Sequence, residues 1–234
     1  MPPTIETDAR RMYTLLAEGG LALARTNTGY GLVAMRSDAV RRIYALKGRS
    51  ASKPCVTVGT MTILDDVAKG VDPEVRSWLA RAVTQWPMAI IARTNRHSTL
   101  LSAWEPFVAT QCTKEDTIAT FFGVGELIAA TASLAYAHGQ LIVGSSANLA
   151  GTGNHYTLDA VPDAIRNAVD LEFDYGVAPF TSDRRLASTI LDLTTGAFQR
   201  EGVAFAQVEA SWNEFLAHGQ RATQRPTMVP MSSV

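Results

Sequence analysis

The stretch TIATFFGVGELIAATASLAYAHGQLIVGSSANLAG (residues 117–151) carries the reading of the fold. Thr117 to Phe122 is a short β-rich run, Gly125 to Ala137 is an alanine- and leucine-rich segment suited to a helix, and Gln140 to Val143 returns to a strand. A strand, a helix and a strand in succession predict an α/β architecture, because a helix that covers a sheet follows or precedes the strand it covers. The chain then breaks into Gly144-Ser145-Ser146-Ala147-Asn148-Leu149-Ala150-Gly151. So small and polar a segment can offer N–H groups, hydroxyls and a carboxamide to one ligand. An ordinary Ser/Asn-rich turn has the same composition.

The pattern continues in both directions. Toward the amino terminus, Met88 to Ala92 is short and almost wholly apolar, as a central strand would be. Asp72-Pro73-Glu74 has the cap, N1-proline and early acid of a helix start, with Val75, Trp78, Leu79 and Val83 as its buried stripe. Pro54 to Val58 reads as a strand. Ser37 reads as the N-cap of a helix whose apolar positions are Val40, Ile43, Tyr44 and Leu46. Gly20 to Arg25 is a first strand running into the turn Thr26-Asn27-Thr28-Gly29. Toward the carboxy terminus come a short helix near Pro162 to Val169, a strand near Leu171, a β-rich run from Ser188 to Leu193 and an amphipathic helix over 209–218. RATQRPTMVPMSSV closes the sequence without periodicity and is expected to be mobile.

With 234 residues, one substantial core is expected, as a domain over 7–208 followed by a carboxy-terminal helix and tail over 209–234. Hydrophobic residues at 47% and charged ones at 18% exclude a disordered chain. No apolar run reaches the roughly 20 residues of a membrane span, and MPPTIETDARRMY is no secretory signal, so a cytoplasmic protein without a membrane partner is expected. A net charge of −1 argues against a nucleic acid as the main partner. Cys55 and Cys112 have no disulfide or metal-knuckle spacing, and His97, His138, His155 and His218 are scattered, so no protein-held metal is expected. Nothing in the pattern specifies an oligomer.

Three polar clusters interrupt the apolar scaffold near strand ends, where open α/β sheets place ligands. The first runs from TNTGYGL to LKGRSASKP, where Lys47 and Arg49 flank Gly48 at a helix end. That pair suits either anion binding or a basic C-cap. The second is GSSANLAG. The third joins Ser188-Thr189-Ile190-Leu191-Asp192 to Arg200-Glu201-Gly202.

Together these pieces resemble the YrdC-like family, of the threonylcarbamoyl-adenylate synthase type. The matching residues are a T-x-T-x-Y-G-L turn (Thr26, Thr28, Tyr30, Gly31, Leu32), a K-x-R pair (Lys47, Arg49) before Lys53-Pro54, an S-x-N pair (Ser146, Asn148) before Gly151, an S-T-x-x-D stretch (Ser188, Thr189, Asp192) and an R-x-G close (Arg200, Gly202). The resemblance implies a twisted mixed sheet flanked by helices around an open, positively charged cavity. There ATP, bicarbonate and an amino acid give a carbamoyl-adenylate and pyrophosphate, the first step of a tRNA modification. By the same resemblance Lys47 and Arg49 hold the triphosphate and the developing charge as catalytic groups. Thr117 and Asn148 contact the nucleotide, Arg200 clamps phosphate, and Thr26, Ser146 and Ser188 face the acceptor. Mg²⁺ arrives with ATP, and tRNA is at most an indirect partner.

Some residues depart from the family pattern. Phe121 stands where an arginine is usual, Val58 where a histidine is common, and Asn27 where the first turn is usually acidic. Trp86-Pro87-Met88-Ala89-Ile90 lacks the glycine and threonine of the family's P-G-P-x-T stretch. The expectation is therefore a retained nucleotide side and an altered acceptor side, the acceptor being a small amine or amino acid other than threonine. The competing expectation is a non-catalytic module that binds RNA or senses a nucleotide.

Overall fold

The computed structural model describes residues 3–48 and 54–223. In chain order its elements are α1 (Pro3–Ala17), β1 (Ala22–Thr26), β2 (Gly29–Ala34), α2 (Ser37–Lys47), β3 (Val56–Val58), α3 (Met61–Val67), β4 (Ala68–Lys69), α4 (Pro73–Gln85), β5 (Met88–Thr94) and α5 (Thr99–Ser102). There follow α6 (Pro106–Cys112), β6 (Thr113–Lys114), β7 (Thr117–Phe122), α7 (Glu126–Ala137), β8 (Val143–Ser146), α8 (Asp163–Arg166), β9 (Leu171–Phe173), β10 (Thr189–Asp192), β11 (Ala197–Arg200) and α9 (Phe205–Thr223).

The strands form one twisted mixed sheet in the order β11-β10-β5-β7-β3-β8-β2-β1-β9, with β4 added to β5 and β6 to β7. Three pairs are parallel (β1 with β9, β3 with β7, β5 with β10), and the other neighbours in the sheet pair antiparallel. Both faces are covered, and the period of two assigns the side chains. Ala22, Ala24, Val33 and Ala89 join a core with Met12 and Leu16 of α1 and Ile128 and Ala132 of α7. Their neighbours Leu21, Leu23 and Leu32 pack with Val40 and Ile43 of α2, while Met88 and Ile90 pack with Trp78 and Leu79 of α4 and Trp212 of α9.

Local chemistry sets several boundaries. Asp72 caps α4, its Oδ1 accepting from the Glu74 N–H (2.8 Å) and the Val75 N–H (3.2 Å), with Pro73 following. Helix α2 begins differently from the expectation. Arg36 occupies the N-cap position, Ser37 is the first helical residue, and the Ser37 N–H donates to Glu105 Oε2 (2.9 Å). An incoming carboxylate thus does what the serine side chain was expected to do, and the Ser37 side chain first, then the Ser37 N–H, hold the Glu105 carboxyl below its ordinary pKa.

Strand β8 starts later than the apolar run predicts, at Val143, so Gly144 to Ser146 are strand and not loop. The expected helix over 209–218 is the middle of α9, which starts at Phe205, before the domain boundary drawn at 208. The final residues, 224–234, lie outside the described ones. Cys55 and Cys112 are buried thiols with no disulfide between them. Among the described residues no helix is long and apolar enough to cross a membrane, and no group of three His, Cys, Asp or Glu side chains is placed to hold a metal ion.

Candidate functional site

An open cleft of about 700 Å³, counted to its mouth and including open solvent, lies on one face of the sheet. Its floor is made by strands consecutive in the sheet, β7, β3, β8 and β2, and its rim by the β1–β2 turn, Pro54, Asn154 and the Ala187–Ser188 segment with Arg200.

The β1–β2 turn is tied by its own first residue. Thr26 Oγ1 accepts from the Thr28 N–H (3.1 Å) and donates to the Gly29 carbonyl (2.7 Å). The turn also leans on the 154–155 segment. The Tyr30 N–H donates to the His155 carbonyl (2.8 Å), and Asn154 Nδ2 donates to the Thr28 carbonyl (2.8 Å). Gly29, at φ 128°, leaves room for this contact, since a Cβ there would sit 2.7 Å from the His155 oxygen. Tyr30 is buried and its hydroxyl donates to Asp174 Oδ1 (2.5 Å). Burial first, and then that carboxylate, push its pKa far above the ordinary phenol value. Tyr30 is therefore a neutral strut beneath the turn.

Gly48, in the left-handed conformation, ends α2 and leaves Lys47 as its last residue. Lys47 does not cap the helix. Its side chain turns inward, 6% exposed, and its ammonium reaches the Ser146 carbonyl, Ser146 Oγ (3.3 Å), the Asn148 carbonyl (2.8 Å) and Asn148 Oδ1 (2.9 Å). Burying an ammonium is costly unless it is hydrogen-bonded. These four neutral oxygens solvate the charge. Two signatures about a hundred residues apart in the chain thus meet at one nitrogen. Ser146 lines the cleft, and Ser146 Oγ donates to Asn148 Oδ1.

On the opposite rim, Arg200 at the end of β11 reaches back to Ser188, Nε donating to its carbonyl (2.8 Å) and Nη2 to its Oγ (2.9 Å). Gly202 permits this crossing. A Cβ there would lie 2.3 Å from the Ala187 oxygen, the Ser188 carbonyl carbon and the Thr189 nitrogen. Instead, the Gly202 N–H donates to Thr189 Oγ1 (3.2 Å).

Of the residues singled out from sequence, Thr26, Ser146, Ser188 and Arg200 line one cleft, and Lys47 and Asn148 join it through Ser146. Thr117 does not. It opens β7 four residues before Phe121, the residue of that strand lining the cleft, and its hydroxyl donates to the Lys114 carbonyl (2.5 Å). At roughly 3.3 Å per residue this puts it about 13 Å along the strand from Phe121. Arg49 and Lys53 lie outside the described residues.

The sequence reading missed a third group. Arg185 Nε donates to the Asn154 carbonyl (3.0 Å), and its Nη2 lies 2.6 Å from His155 Nδ1. Burial first, then the charges of Arg185 and Lys47, depress the His155 pKa, so the ring is neutral at pH 7 and accepts from the guanidinium. Only the H-Y-T and R-R pairs marked these positions, and neither has distinctive spacing.

The opposite wall of the cleft is hydrocarbon. Val58, Phe121, Val124 and Ile128 line it, at 3%, 9%, 3% and 1% exposure.

Fold and cleft together define a class: an α/β protein whose mixed sheet carries an open ligand cleft with a lysine-centred polar end. Solved structures share that fold. P. abyssi Sua5 complexed with L-threonine matches at TM-score 0.71 and 24% identity, over 88% of this chain and 57% of that one. A hypothetical protein from Streptococcus mutans UA159 matches at TM-score 0.73 and 18% identity, over 88% of this chain and 90% of that one. Full-length HypF in a phosphate- and nucleotide-bound form matches at TM-score 0.60 and 14% identity, over 82% of this chain and 28% of that one. The chain spans little more than half the length of the P. abyssi Sua5 proteins it resembles, 54% and 57%. No curated protein matches it. The family model for Sua5, YciO and YrdC, described as telomere recombination, matches residues 14–202, and the chain belongs to that family.

Proposed function

We propose that this chain is an ATP-dependent nucleotidyl transferase that joins an amine, bicarbonate and ATP into a carbamoyl-adenylate, releasing pyrophosphate. The observation that carries the reading is the Lys47 ammonium, buried and held by Ser146 and Asn148 at the end of a cleft whose other rim is Arg200 on Ser188. The similarity to Sua5 bound to L-threonine and to HypF bound to nucleotide supports a cleft for both an amine and a nucleotide.

In the proposed reaction the amine and bicarbonate lose water to form a carbamate, and a carbamate oxygen attacks the α-phosphorus of ATP. The bond to the bridging oxygen breaks and pyrophosphate leaves with that electron pair. Such a step needs positioning and charge neutralisation more than acid–base chemistry. Lys47 is preorganised for it, since Ser146 and Asn148 fix the nitrogen at the polar end of the cleft. Arg200 supplies a planar donor on the facing rim, anchored by Ser188. Ser146, Thr26 and Ser188 present hydroxyls between the two. Mg²⁺ comes with the triphosphate and retains most of its waters.

The test is pyrophosphate release by the purified chain with ATP, Mg²⁺, bicarbonate and a broad panel of amines. Release that requires both bicarbonate and an amine is expected. Its absence across the panel, with no ATP binding, defeats the reading.

A further inference from the structure

The cleft has two chemically different ends, and strand register fixes which is which. Gly31 stands opposite Ser146 at the polar end, Val33 opposite Gly144 in the middle, and Val58 opposite Phe121 at the far end. Val124 and Ile128, at and just before the first turn of α7, close over that far end. Gly144 keeps the floor low where the ends meet, since a Cβ there would sit 3.2 Å from the Leu32 carbonyl and 3.5 Å from the Val58 methyl. The four hydrocarbon side chains also belong to the core cluster that packs α1 and α7 on the sheet, so their positions are set by the fold.

We infer that the amine consumed by this chain carries an apolar group, a branched alkyl or a phenyl, seated among Val58, Phe121, Val124 and Ile128 with its nitrogen toward Ser146. The inference rests on the carbamoyl-adenylate reading and names the substrate class for it. A side-chain hydroxyl at that end would exchange water for four hydrocarbon neighbours, whereas an isobutyl or phenyl group would leave water for them. Burying a group of that size favours it on the order of 10- to 100-fold over its small polar counterpart. Gly144 and Val33 bound the passage between the ends, so the apolar group and the nitrogen lie on one line along the floor.

The experiment compares L-leucine, isoamylamine, phenethylamine and L-threonine as acceptors, by kcat/KM for ATP- and bicarbonate-dependent pyrophosphate release. One or more apolar amines are expected to exceed L-threonine by at least tenfold. Leucine against isoamylamine then tells an amino acid from a simple amine. Val58→Thr, which keeps the shape and adds a hydroxyl, narrows the ratio several-fold, and Phe121→Arg inverts it. L-threonine equal to or better than every apolar amine, with release intact, overturns the inference and leaves the proposed function standing. Without release from any amine the proposed function falls, and the inference is decided by binding. The thermal shift given by isoamylamine with a non-hydrolysable ATP analogue must exceed that given by L-threonine and shrink in Val58→Thr, and equal shifts overturn it.

Discussion

At the scale of single residues, Lys47 has two separable consequences. Lys47→Met keeps the length of the side chain and removes the ammonium, so the Asn148 carbonyl loses its lysine bond, while Asn148 Oδ1 keeps the Ser146 hydroxyl and the Ser146 carbonyl keeps the Asn148 N–H. Hydrogen bonds from a charged donor are worth about 1.5–3 kcal/mol, so the variant is expected to melt several degrees lower while remaining folded. Pyrophosphate release is expected to drop by more than about a hundredfold, the scale of a lost electrostatic contact to a transition state. Circular-dichroism melts and turnover on the same sample check both. Normal turnover in a folded Lys47→Met would remove the lysine from the chemistry. His155 gives a pH dependence whose sign follows from its surroundings. Its folded pKa lies below the ordinary 6.5, so on acidification the unfolded chain takes the proton first. Stability from this group is complete above about pH 6.5 and is lost as pH falls toward the depressed folded value. His155→Gln, which retains an acceptor for Arg185, is expected to flatten the fall in Tm between pH 7 and pH 5. Parallel slopes for the two proteins would show that the ring does not contribute.

At the scale of elements, the β10–β11 crossing and the docking of α9 are the exposed points. Gly202→Ala places a methyl group 2.3 Å from main-chain atoms of Ala187, Ser188 and Thr189, which cannot rotate away. Overpacking of this kind costs about 1–3 kcal/mol. The displacement falls on Ser188, so ATP affinity is expected to fall together with Tm. A variant that loses stability and keeps its affinity would separate the crossing from the cleft. Helix α9 is held by Trp212, 5% exposed, whose ring stacks near Phe215 and lies 4.8 Å from Trp78 of α4. Trp212→Ala is expected to cost about 3–5 kcal/mol, as buried tryptophans do. Differential scanning calorimetry reads it, and a change under 1 kcal/mol would mean that α9 is not part of the core. In the same packing Val208 and Trp212 sit in one cluster with Leu79 and Ile90.

At the scale of the whole molecule, what could be read from the sequence was what local chemistry writes there. Helix α4 follows from its aspartate, proline and apolar stripe, and β7 from an uninterrupted β-rich run. Helix α1 carried Ile5, Ala9, Met12 and Leu16 at helical spacing, but short of the apolar density of α7 it drew no assignment. Strand β2 went unread because Thr26 to Leu32 looked like one long turn, whereas the turn is two residues and Gly29 to Ala34 pairs back on β1. The order of the motifs singled out Lys47, Ser146, Asn148, Ser188 and Arg200, and the fold brings these residues around one cleft. Thr117 lies outside the cleft lining because motif order does not fix position along β7, and four residues of strand separate it from Phe121. Asn154, His155 and Arg185 were invisible for another reason. The segment meets the β1–β2 turn through one main-chain bond, from the Tyr30 N–H to the His155 carbonyl, and one carboxamide, Asn154 Nδ2 on the Thr28 carbonyl, and such contacts leave no fixed spacing in the sequence.

The order of the strands also governs when a binding surface can first exist. Strand β10 is paired with β5 from just over a hundred positions earlier, and β9 flanks β1 across an even longer separation. Ribosomes deliver the lysine early and the facing arginine late. A nascent polypeptide therefore holds half a receptacle through most of its synthesis, and any protection a nucleotide confers begins only once Gly202 has left the exit tunnel.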